Sequence, residues 1–294
     1  MTISEHQGDI RLSSERHNAS VTVNTFGASL HSWKTSVDAN DGTEHLFVSS
    51  KSKPGGPKPI RGGVPVVWPC FGPPDPAEEQ FSRLKQHGFA RNSVWKHLAS
   101  VSEGSSDELA FELTSTDEIR AIYALPFRLV YVVRIISPAS ISTSLTVQHL
   151  ESGSEDMNFQ ALLHSYWSVD NIQETSINGL HNLDYSDKTR DQAHFTEARE
   201  VVAAEGETDR VYFDAPSSSV ELRTGKGKLA FTFDKLQDVV VWNPAAKVSD
   251  GMADMEPNGW QRFICVEPGC IASKVMLKPG ESWTGSQTIT YTAT

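Results

Sequence analysis

The sequence is short of cysteine, of basic residues and of long apolar runs, and each shortage excludes a class of protein. Its three cysteines, Cys70, Cys265 and Cys270, are odd in number and widely spaced, so they define no disulfide framework. Cys265 and Cys270 lack neighbouring Cys or His at zinc-ligand spacing, so no metal site is expected. Reduced thiols in a cytoplasmic protein are the expected state. Lys and Arg number 26 against 37 Asp and Glu, a net charge of -11. Such a surface repels nucleic-acid backbones and anionic lipid, so neither is expected as a partner. No segment approaches the ~20 apolar residues that span a bilayer, and Met1 to Arg11 has no apolar signal core. Internal repeats and long linkers are missing as well. The Lys-, Pro- and Gly-rich stretch Ser50 to Gly63 reads as a loop, so residues 1–294 are expected to form one domain.

What is present alternates with period two. Leu109, Phe111 and Leu113 alternate with polar neighbours, a strand with one wet face. Between Phe127 and Ile136 both faces are apolar, which predicts a strand covered on both sides. Ile141 to Leu150 follows a turn at Ser137-Pro138-Ala139 and completes a hairpin. Met157 to Val169 reads as one long strand. Val220–Leu222 and Leu229–Phe233 flank a Gly-Lys-Gly turn, and Val239–Trp242, Phe263–Val266 and Thr288–Tyr291 extend the series. Helices are few: two or three turns over Pro76 to Lys85, capped by Asp75, and a turn or two over Asp117 to Ala124. Many strands with little helix predict an all-β fold, a large antiparallel β-sandwich.

Four segments carry candidate chemistry. On the Met157–Val169 strand, His164 shares a face with Asn158, Gln160 and Tyr166, the composition of a polar cleft floor or of a satisfied structural histidine. Glu267 follows an apolar strand and precedes Pro268-Gly269; it reads as a base at a strand mouth, a salt-bridge partner or a turn residue. Arg61-Gly62-Gly63, with Lys53 and Lys58 upstream, suits an anion, the glycines allowing close backbone approach. Gln86-His87-Gly88-Phe89-Ala90-Arg91 gathers an amide, an imidazole and a guanidinium; a solvated basic loop is the alternative for both.

Together these blocks resemble the aldose 1-epimerase superfamily, most closely its glucose-6-phosphate 1-epimerase branch. The resemblance rests on Arg61 to Gly72, Gln86 to Arg91, Leu163 to Tyr166, Val241-Trp242-Asn243-Pro244 and Cys265 to Gly269, in the family's order. It implies a galactose-mutarotase-like sandwich, His164 as catalytic acid and Glu267 as catalytic base. It implies sugar-hydroxyl contact at Asp209, a sugar and phosphate site lined by Arg61, Gln86, His87 and Arg91, and no cofactor. Galactose mutarotases proper lack the Arg-Gly-Gly-Val-Pro block in this form, so the expected substrate is a hexose 6-phosphate. The sequence departs from the family after Pro244, where Ala245-Ala246 replaces a bulky residue. A monomer is expected, and an ionised Glu267 is expected to raise the His164 pKa. The alternative is a non-catalytic sugar-binding or sugar-phosphate-sensing module on the same fold.

Overall fold

A computed structural model describes residues 1–36, 42–53, 55–56, 58–98, 107–218 and 220–293. Positions 54 and 57 of the Ser50–Gly63 loop lie outside the described residues. Among these residues the strands form three antiparallel sheets. The first is a meander of five strands in chain order, Thr2–His6 through Thr43–Glu44. The second has nine strands. Its centre is the expected hairpin, Phe127–Ser137 with Ser140–His149, followed outward by Ser282–Ala293 and Gly227–Asp234. The third, of eight strands, runs from Ala193–Thr196 through Asp184–Asp187, Thr208–Tyr212, Asp238–Asn243, Phe263–Leu277 and Met157–Leu163 to Val66–Val67, with Tyr166–Ser168 pairing beside Phe263–Leu277. Among the described residues no helix is long and apolar enough to cross a membrane.

The two large sheets face each other through aromatic contacts. Phe159 meets Trp283 with centroids 5.5 Å apart, and Trp167 meets Phe231 at 5.3 Å. Such edge-on pairs add to the area term of burial. Trp33 of the first sheet reaches Trp167 at 6.5 Å, which joins all three sheets to one core cluster extending from Ile10 to Ile289.

Period-two alternation decides which residues leave that core. On Asp238–Asn243 and Phe263–Leu277, Val239, Val241, Ile264 and Val266 enter the main cluster. Val240, Trp242, Cys265 and Glu267 therefore point to the opposite face of the sheet. That face is covered by loops, which is why these strands are apolar on both sides.

Three local expectations are corrected. Met157–Val169 is two strands, Met157–Leu163 and Tyr166–Ser168, broken at His164-Ser165. Pro268-Gly269 is no turn, because the strand continues to Leu277 and Glu267 lies inside it. Pro76–Lys85 holds only the short 3-10 turn Glu79–Phe81; Asp75 accepts from the Ala77 N–H at 2.9 Å but caps no helix, since the turn begins after Glu78, and only Phe81 and Leu84 are buried to anchor a longer one. Over Asp117–Ala124 a single helical turn forms, Asp117–Arg120, capped by Thr116.

Candidate active site

Sheet register builds the site. Asp209 pairs with Trp242, Trp242 with Cys265, and Cys265 with Tyr166, one row across the outer face. In the next row Glu267 pairs with Val240. The strand break lets His164 turn into this face, stacked on Tyr166 at 4.9 Å and 9°. His164 Nδ1 then lies 3.2 Å from Glu267 Oε1.

Loops close the face into a cavity of about 300 Å³. All seven residues singled out in the sequence line it: Arg61, Gln86, His87, Arg91, His164, Asp209 and Glu267. Phe71, Lys188, Val240, Trp242 and Met252 complete the lining. Asn158 and Gln160, on the same strand face as His164, do not reach it. Gln160 accepts from the Phe71 N–H at 3.0 Å and donates to the Ile271 carbonyl at 2.6 Å, so its task is to hold the Phe71 loop over the sheet.

The glycines serve that closure rather than a ligand. A Cβ on Gly62 would lie 2.3 Å from the Phe47 carbonyl oxygen, and one on Gly88 2.1 Å from that of Trp68. Both have positive φ. The Gly88 approach brings His87 and Arg91 down onto the sheet. His87 is buried, and its Nδ1 accepts the Gly72 N–H at 3.1 Å, which leaves Nε2 as the protonated nitrogen. Burial, with Arg91, Lys188 and Arg61 nearby, pushes the His87 pKa down to about 3, so this ring is a neutral donor.

The central pair departs from expectation. Burial, followed by His87, Arg91 and Arg61, pushes the His164 pKa well down, against the rise expected from Glu267. Burial and Asp209 push the Glu267 pKa well up. Both ions are disfavoured for one reason: a loop-covered face withdraws water from each. The Glu267 oxygens are closed off from solvent, with the His164 imidazole and the Cys265 thiol as polar neighbours.

Charge around the rim is mixed. Arg61 faces Asp254 at 3.2 Å and donates to the Tyr166 hydroxyl, also at 3.2 Å. Among the described residues Arg91 has no carboxylate partner; its Nη2 donates to the Gln86 carbonyl at 3.1 Å. Lys188 lies 3.5 Å from Asp209 and 4.0 Å over the Phe71 ring. Sequence reading missed Lys188, which sits in the ordinary polar run Ser186–Arg190 and carries no local signal. Tyr166 was visible, two residues from His164 on one strand face.

His164, Cys265 and Glu267 bring donor atoms within 4.8 Å of one another, a metal-capable group the sequence spacing had not disclosed. Its chemistry is unfavourable for an ion. Burial pushes the Cys265 thiol and the Glu267 carboxyl up together, which keeps both in the protonated form that metal binding must displace. The three cysteines are free and buried.

Comparison with known proteins follows the same line. A provisionally named glucose-6-phosphate 1-epimerase of Cenchrus ciliaris is 30% identical over 274 residues, covering 91% of this chain and 80% of that protein. One with the same provisional name from Escherichia coli K12 is 34% identical over 248 residues, covering 82% and 76%. A solved structure from Salmonella typhimurium, provisionally assigned as a mutarotase, superposes with a TM-score of 0.83 at 25% identity, over 99% of this chain and 93% of that one. A Synechocystis structure reaches 0.80 at 18% identity, a likeness of fold. The profile of the aldose 1-epimerase family matches residues 9–290, and the chain belongs to that family.

Proposed function

We propose that the chain is a hexose-6-phosphate mutarotase, acting as a single domain over residues 1–294, with His164 as acid and Glu267 as base. The observation that carries this reading is the buried His164–Glu267 pair, 3.2 Å apart and open to a cavity with cationic groups on its rim. The relatives named for glucose-6-phosphate 1-epimerase supply the substrate class.

Mutarotation removes the proton of the anomeric hydroxyl and adds one to the ring oxygen. A carboxylate and an imidazolium can each contribute roughly 10²–10⁴-fold to such a step. Ring opening takes the pair from imidazolium and carboxylate to imidazole and carboxylic acid. These two states hold the same number of protons. Since burial disfavours both ions, the neutral state is the resting one, and the ionic state forms when the sugar's polar groups replace water around the pair. Ring closure on either face restores the starting state, so no proton need come from solvent. The open-chain aldehyde must rotate about C1–C2 before closing, so binding has to grip the far end of the sugar. Arg91 and Arg61 are assigned to the phosphate, and Asp209, Gln86 and the His87 Nε2–H to hydroxyls. Binding energy remote from the reacting carbon is thereby used for positioning.

The test is anomer exchange of glucose 6-phosphate and of free glucose, followed by NMR, with wild type beside Arg91→Ala. Loss of this rim guanidinium, which among the described residues has no carboxylate partner, lowers kcat/KM for the phosphorylated sugar by roughly tenfold or more, and for glucose far less. Equal losses on both sugars would remove the phosphate assignment.

A further inference from the structure

A carboxylate stands where the phosphate reading places an anion. Arg61 presents its Nε and Nη2 to Asp254 Oδ1 and Oδ2 at 3.3 and 3.2 Å, a fork-to-fork pair. Arg91 keeps a buried Nε with no hydrogen-bond partner among the described residues. Lys58, Arg61, Arg91 and Asp254 line a side pocket of about 200 Å³. That pocket shares Arg61, Arg91 and Met252 with the main cavity, so a ligand whose C1 lies at His164 and Glu267 can extend its far end into it. Three cations thus meet a single carboxylate there.

Asp254 is tethered but not locked. Two residues on, the Glu256 N–H donates to Ser49 Oγ at 3.1 Å, and the Glu256 carboxylate takes the Ser50 N–H and pairs with Arg262. This anchor fixes the backbone beyond Asp254. The Asp254 side chain itself is half-buried, so it can rotate off Arg61 while the loop stays in place.

We propose that Asp254 is a resident anion that occupies the Arg61 fork in the free protein and yields it to the phosphoryl group of the substrate, so that it sets specificity for dianions. The proposal rests on the phosphate reading above. A phosphate dianion brings more charge and three acceptor oxygens, enough to engage Arg61, Arg91 and Lys58 together. A neutral sugar leaves the Arg61–Asp254 pair intact. A sugar carboxylate offers only what Asp254 already provides, at the further expense of like-charge repulsion. Asp254 therefore weakens every anion, and the dianion alone has the charge to overcome it.

The experiment is calorimetric titration of the full chain with inorganic phosphate, comparing wild type, Asp254→Asn and Asp254→Ala. Removing the competitor tightens phosphate binding roughly three- to tenfold in both variants, and KM for glucose 6-phosphate falls by a similar ratio with a smaller change in kcat. Unchanged or weaker phosphate binding in either variant, with wild type binding phosphate, overturns the proposal: Asp254 would then be holding Arg61 in place for the anion. A wild type that binds no phosphate and exchanges glucose 6-phosphate no faster than glucose overturns the phosphate reading as well.

Discussion

His164 and Glu267 titrate as a unit, because the two buried groups lie 3.2 Å apart with little water to screen them from one another. Activity needs that pair to hold one exchangeable proton. A second proton, added at low pH, removes the base; loss of the first, at high pH, removes the acid. Burial pushes His164 down and Glu267 up, so the one-proton state rests as imidazole and carboxylic acid, the acid limb following His164 and the alkaline limb Glu267. Asp209 is the charge that raises Glu267 after burial itself. Asp209→Asn lowers the Glu267 pKa, the pair releases its proton earlier, and the alkaline limb of kcat moves to lower pH. A kcat profile of Asp209→Asn superimposable on wild type would remove this coupling. Residue identity at the site was legible because His164, Glu267, Arg61 and the Gln86–Arg91 block have chemistry of their own. The sign of the His164 shift was not. It depends on how completely loops distant in sequence exclude water, and on two arginines that no spacing places beside it.

Among elements, the break at His164-Ser165 and the approach of Gly88 to Trp68 shape the cavity. Gly88 has φ +68 and no room for a Cβ. Gly88→Ala therefore costs roughly 3 kcal/mol or more of stability, measured by urea unfolding. It also displaces His87, lowering activity beyond what the loss of folded protein explains. A second element, the strand pair Asp184–Asp187 and Thr208–Tyr212, depends on a buried carboxylate. Against the upward push of burial, hydrogen bonds from Arg199 and Tyr212 hold the Glu197 pKa down at about 2, from an ordinary 4.5. The unfolded chain takes up this proton first as pH falls, so the stabilisation is complete above the ordinary value and is lost as pH drops towards 2. Glu197→Gln accordingly flattens the dependence of unfolding free energy on pH in that window; a slope as steep as wild type would contradict the assignment. Strands such as Phe127–Ser137 were legible from alternation and β-branched content. The short five-strand meander at the N-terminus was not singled out, since its strands carry mixed polar residues and take their burial from distant partners. Likewise the continuation past Pro268-Gly269 depends on pairing with Asp238 and Val239, which a local turn signal cannot convey.

Across the whole molecule, one cluster of buried residues links all three sheets. If residues 1–294 act as one domain, far-UV circular dichroism and tryptophan fluorescence will report the same unfolding midpoint, and two separated transitions would divide the chain. Against a net charge of -11, Arg61, Arg91 and Lys188 collect at the cavity rim, two of them paired with Asp254 and Asp209. An acidic body with a local cationic pocket admits a small anion without attracting polyanions. The central claim, that a buried imidazole and carboxylate open and close the sugar ring, is tested most directly by NMR exchange between the anomers of glucose 6-phosphate, with wild type, His164→Ala and Glu267→Gln at equal concentration. Rapid exchange by wild type is expected, with a fall of at least about 100-fold in each variant and folding retained by circular dichroism. Exchange by Glu267→Gln close to the wild-type rate would contradict it.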